Sequence, residues 1–192
     1  MNVDQLDSQI LSDDQIKQEL QKLYGGNNSK NQLDFEAVKE SFYRIFRVDQ
    51  TFDEDLWILF KLADSGARFS DDEKDDDQLG KKEFTNFIKK IPRGETNKHK
   101  MFATLFFRMI DDNDSGNINS AEFKDFWNAI NPKNETPLGN ANGKIKNDKW
   151  KEYISVFGDD IVCKKLYDII AGEDKAKGLK LDRFVEWYVS LC

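Results

Sequence analysis

The sequence is short of proline, histidine, cysteine and positive charge. Three prolines in 192 residues, Pro92, Pro132 and Pro137, permit long helices almost everywhere and mark those points as breaks. A single histidine, His99, lies between Lys98 and Lys100, so no Cys or Ser has an imidazole partner for nucleophilic catalysis. The zinc-protease HExxH and the glycine-rich phosphate loops are missing as well. His99 reads as a surface residue, and the chain as a non-enzyme. The two cysteines, Cys163 and Cys192, are too few for a disulfide framework and read as reduced thiols. Lys and Arg number 29 against 36 acids, a formal net charge of -7, which removes the basic excess that nucleic-acid binding uses. No run approaches the roughly 20 apolar residues of a transmembrane span. The opening Met1-Asn2-Val3-Asp4-Gln5 lacks both the pattern of a signal peptide and a glycine at the second position for myristoylation, so a cytoplasmic location is expected.

Aromatic residues are plentiful, with 15 Phe, 5 Tyr and 4 Trp, enough large side chains for a packed core despite the charge. The acids are mostly Asp, which favours caps, turns and metal loops over helix interiors.

One segment concentrates that chemistry: Asp111-Asp112-Asn113-Asp114-Ser115-Gly116-Asn117-Ile118-Asn119-Ser120-Ala121-Glu122. Side-chain oxygens fall at loop positions 1, 3, 5 and 9, Gly at 6, an aliphatic residue at 8 and Glu at 12, the spacing of a calcium loop. A hard cation wants about seven oxygens, so the chain curls and presents one at every second residue. Asp111, Asn113 and Ser115 supply side-chain oxygens, and Asn117 its carbonyl. Asn119 is placed to hold a water, and Glu122 to close the shell with both carboxylate oxygens. Gly116 permits the positive φ of the turn. The stretch Asn113-Asp114-Ser115 is also a glycosylation sequon, but a glycan there would ruin the loop.

Apolar residues repeat at helical spacing on both flanks, Phe102, Leu105, Phe106, Met109 and Ile110 before the loop, then Phe123, Phe126, Trp127 and Ile130 after it. With helix, loop and helix in place, the sequence resembles the EF-hand superfamily. Such units usually pair to cover their apolar faces, and the entering-helix template recurs with decay. Ile16, Leu20, Leu23 and Tyr24 match it near the start, and Cys163, Tyr167, Ile170 and Ala171 near the end. Leu59, Leu62 and Ala63 fit between them, although Asp55 breaks the pattern. The resemblance therefore implies an all-α fold of two EF-hand pairs, over 12–91 and 98–190, with short β bridges between loops. The aliphatic residue at position 8 joins each bridge, so Ile118 should face Leu179, and Leu33 should face Leu79.

The other three loops are degenerate. Loop 25–37 is a residue too long and ends in Ala37. Loop 172–183 has Gly at position 1, Ala176 at 5 and Arg183 at 12. Span 64–83 exceeds the normal length by eight mostly acidic residues. Its shorter frame, Asp72 to Glu83, carries Lys74 at position 3 and Asp77 in place of the turn Gly. The acidic run 71–77 reads as a solvated loop. The implied ligand is calcium at 111–122, with magnesium as competitor.

Three roles remain open: a sensor or modulator of an unknown protein partner, a buffer or storage protein, and a scaffold with little metal dependence. One good loop argues against high-capacity buffering. Only 3 Met argues against a promiscuous sensor, whose open groove relies on flexible thioethers. Ser12 with Gln15, and Thr51 with Glu54, form capping-box patterns. Pro92-Arg93-Gly94 marks the boundary between halves. The connector 131–143 leads to a basic segment, 144–157, carrying Trp150, Ile154 and Phe157, which reads as a helix packed on the second half rather than a peripheral membrane contact.

Overall fold

Four of the eight described helices open where a short polar side chain satisfies first-turn amides. In the computed structural model, which describes residues 11–25, 32–64, 78–130, 156 and 158–191, Ser12 opens α1 (Asp13–Tyr24) with the expected reciprocal box to Gln15. Asp34 accepts from the Ala37 amide at 2.9 Å to cap α2 (Phe35–Phe46), and Asn97 from the Lys100 amide at 3.0 Å to cap α5 (Lys98–Ile110).

The helical segment that the Thr51 pattern predicts begins two residues earlier. Asp49 accepts from both the amide and the hydroxyl of Thr51, at 2.9 and 2.6 Å. It thereby opens a 3-10 turn, Gln50–Phe52, that runs into α3 (Asp53–Asp64). An anionic acceptor two residues upstream satisfies the Thr51 amide and so starts the turn sooner.

The remaining helices are α4 (Lys81–Lys90), α6 (Ser120–Ile130), α7 (Asp159–Ala171) and α8 (Leu181–Ser190), with a second 3-10 stretch at Gly172–Lys177. Four two-residue strands complete the described chain: β1 (Gln32–Leu33), β2 (Leu79–Gly80), β3 (Asn117–Ile118) and β4 (Leu179–Lys180). They form two antiparallel ladders, β1 with β2 and β3 with β4. Leu33 faces Leu79 and Ile118 faces Leu179, the register expected from the aliphatic loop positions. The middle of span 64–83 with its acidic run, most of loop 25–37, the connector 131–143, almost all of the basic segment 144–157, and Cys192 lie outside the described residues.

A single apolar core runs through both halves. Phe42, Phe46, Phe84 and Phe87 fill the first half, and Phe106, Phe126, Phe184 and Tyr188 the second. Phe102 joins them, its ring 5.2 Å from Phe46 and 5.6 Å from Phe52. Burying each such ring contributes about 1.5–3 kcal/mol. α3 packs on both α5 and α6, across the boundary between halves.

Asp55, the break in the apolar template, is only 2% exposed and accepts a hydrogen bond from Tyr188 at 2.7 Å. His99 is half-buried rather than a surface residue: its ring lies 5.2 Å from that of Phe52, with Nδ1 buried. The link 92–97, exposed at Arg93 and Gly94, joins α4 to α5, whose C-terminal ends are tied reciprocally. Lys90 Nζ donates to the Arg108 carbonyl at 2.7 Å, and the Arg108 guanidinium to the Lys90 carbonyl at 3.2 Å.

Candidate metal centre

The loop that follows α5 curls because two of its residues take the left-handed region, Asp114 at φ 51° and Gly116 at φ 79°. Asp is among the few non-glycine residues that tolerate it, and Gly needs no tolerance. The curl brings four of the sequence-predicted residues together around Ser115. Asp111 Oδ1 accepts from the Ser115 amide at 2.8 Å, and Oδ2 from the Gly116 amide at 2.8 Å. Asn113 Oδ1 accepts from the same Ser115 amide at 2.9 Å. The Ser115 hydroxyl lies 3.1 Å from Asp111 Oδ1 and 2.8 Å from the Asn117 carbonyl oxygen.

The fifth residue is engaged elsewhere. Glu122 Oε2 accepts from the Asn119 amide at 2.8 Å, while Asn119 Oδ1 accepts from the Ala121 and Glu122 amides at 2.9 and 3.0 Å. The pair closes the first turn of α6 as a reciprocal box. Asn119, expected from sequence to hold a water, serves here as the helix cap.

The donor set fits a hard cation. Asp111 is 5% exposed, and among the described residues no Lys or Arg pairs with it. A buried carboxylate held only by amide and hydroxyl dipoles retains much of its charge uncompensated. No three His, Cys, Asp or Glu side chains converge among the described residues. The loop would therefore meet a cation with two carboxylates and otherwise neutral oxygens.

Behind the loop stands the fourth helix-loop-helix unit. Tyr167, buried on α7, donates to the Ile118 carbonyl at 3.2 Å and lies 3.4 Å from the Lys175 carbonyl. Burial, and then the charges of Asp168 and Glu122, push its phenol up, so it stays a neutral donor. The first half of loop 172–183 forms the 3-10 stretch, with the Lys175 ammonium 3.4 Å from Asp168. A cation of the protein's own thus sits within the degenerate loop.

On the far side, α6 buries Phe123, Phe126 and Trp127. It is fastened to the first turn of α7 by Trp127 Nε1 donating to Asp159 at 2.6 Å and by the Lys124–Asp160 pair at 2.9 Å. These ties were not read from sequence, though two acids opening a helix opposite a Trp and a Lys were a usable signal. Glu83 repeats the Glu122 arrangement in the first half, Oε2 accepting from the Gly80 amide at 2.6 Å. No family model, curated protein or solved structure matches this chain.

Proposed function

We propose that the chain is an EF-hand-type calcium-binding protein that modulates a protein partner through its third loop. Asp111, Asn113 and Ser115 would hold the ion with side-chain oxygens, Asn117 with its carbonyl and Glu122 with its carboxylate. The observation that carries this reading is the buried Asp111 carboxylate, joined through Ser115 to the oxygens of Asn113 and Asn117 and paired with no Lys or Arg among the described residues. Calcium supplies the missing positive charge, and magnesium competes for the same oxygens with a stricter, smaller geometry.

A ligand does work only through different affinity for two conformations. Glu122 provides the difference, because its carboxylate currently serves the Asn119 amide. Recruiting it as a ligand shifts the first turn of α6, and with it Phe123, Phe126 and Trp127 in the core. Since α6 packs on α3, the shift reaches the first half. Two carboxylates make a weak site, with a dissociation constant nearer ~10⁻⁵ M than ~10⁻⁸ M. Calorimetric titration of calcium into metal-free protein tests the site. Binding should be lost at micromolar calcium in Glu122→Gln, together with any calcium-dependent change in Trp emission.

The full burial of Phe123, Phe126 and Trp127 favours a second reading, a static site that buffers calcium or stiffens the fold. Under it calcium raises Tm by mass action while Trp emission and dye binding stay unchanged.

A further inference from the structure

The fourth loop lacks ligands at positions 1, 5 and 12, yet it touches the third at the residues next to a proposed ligand. Tyr167 sends its hydroxyl from α7 to the Ile118 carbonyl, and the same oxygen lies near the Lys175 carbonyl of the 3-10 stretch. Ile118 follows Asn117, whose carbonyl is the proposed ligand at position 7. Fixing one peptide plane restricts the one before it, because only two soft dihedrals separate them. Gly178 makes a second, independent contact. A Cβ there would lie 2.8 Å from Asn117 Cβ and 3.1 Å from the Ile118 carbonyl oxygen, and its φ of +93° already disfavours a side chain. The backbone of the fourth loop therefore approaches β3 as closely as glycine allows.

We infer that Tyr167 is a positioning residue for the third loop, holding the Asn117–Ile118 backbone in its ligating curve from the ligand-poor fourth loop. The inference rests on the calcium reading given above. The first half supplies an internal control: Tyr24 on α1 donates to the Leu79 carbonyl of β2 at 2.8 Å, the same contact made on the other ladder. Both phenols stabilise the fold, but only one stands behind the proposed site.

The test compares Tyr167→Phe and Tyr24→Phe with wild type in the full chain. Calcium affinity is measured by calorimetry, and amide hydrogen exchange across 111–122 is measured in metal-free protein. Tyr167→Phe should weaken calcium binding about 3- to 30-fold, the loss of one hydrogen bond on the usual scale. It should also speed exchange in the 111–122 segment. Tyr24→Phe should lower Tm comparably and leave both readouts at wild-type values.

Equal affinity and equal exchange in Tyr167→Phe and wild type would overturn the inference while leaving the calcium site intact. If wild type takes up no calcium, the functional reading fails, and exchange in the metal-free loop still decides whether Tyr167 holds it. Gly178→Ala, which forces the close approach apart, should reproduce the Tyr167→Phe phenotype more strongly.

Discussion

The Tyr188 phenol donates to the Asp55 carboxylate at 2.7 Å, joining residues 133 positions apart inside an otherwise apolar core. A buried polar pair of this kind gains from low local dielectric when satisfied and is costly when broken. Tyr188→Phe removes the donor and strands part of a buried carboxylate. It should cost about 1–3 kcal/mol, seen in urea unfolding and as a fall in Tm of about 2–4 °C per kcal/mol. A change confined to the second half, with the first half melting as in wild type, would contradict a shared core.

Glu19 should give the protein a component of acid lability. Burial raises the pKa of its carboxyl, but hydrogen bonds from Lys22 and Arg44, with their charges, outweigh burial and hold it below the ordinary 4.5. A folded pKa below the unfolded one adds stability that is present above the unfolded value and lost as pH falls through the folded value. Glu19→Gln should therefore be less stable than wild type at neutral pH. The gap should begin to narrow as pH falls below about 4.3, the unfolded carboxyl's value, measured by denaturant midpoints across pH.

Cys163 should be chemically silent in the native state. Burial, reinforced by Asp159, pushes its thiol up to about 12, so the reactive thiolate is scarce at neutral pH. In a Cys192→Ser background, labelling by a thiol reagent should follow the unfolding rate and accelerate in denaturant. Immediate stoichiometric labelling of folded protein would refute the burial of this side chain.

Phe126 is packed against Phe106, Phe184 and Tyr188, with ring centroids at 6.2, 5.3 and 6.2 Å. Phe126→Ala should cost about 3–5 kcal/mol through lost burial and a residual cavity, measured by chemical unfolding.

Helical stretches and ladder register were legible because they depend on local periodicity and on one aliphatic residue per loop. Ile118 and Leu179 could be paired before any coordinates by their place in the repeat. The Asp111 curl was legible for the same reason, since its hydrogen bonds span at most five residues. Long-range polar contacts were not. Asp55 reads only as a fault in an apolar pattern, because Tyr188, which satisfies it, leaves no trace nearby in sequence. His99 reads as exposed between two lysines, and only the ring of Phe52 reveals otherwise. The Thr51 pattern placed the helix start late because Asp49 caps a 3-10 turn two residues earlier.

The link 92–97 does little that the core does not already do. Phe46 and Phe52 meet Phe102, Asp55 meets Tyr188, and Lys90 and Arg108 cap each other's helices, all across that link. Severing the exposed backbone after Arg93 would turn an intramolecular association into a bimolecular one, removing an effective concentration in the millimolar range typical of short tethers and no contact. Fragments 1–93 and 94–192, produced separately, should therefore complement each other into a native-like heterodimer whose melting point rises with concentration.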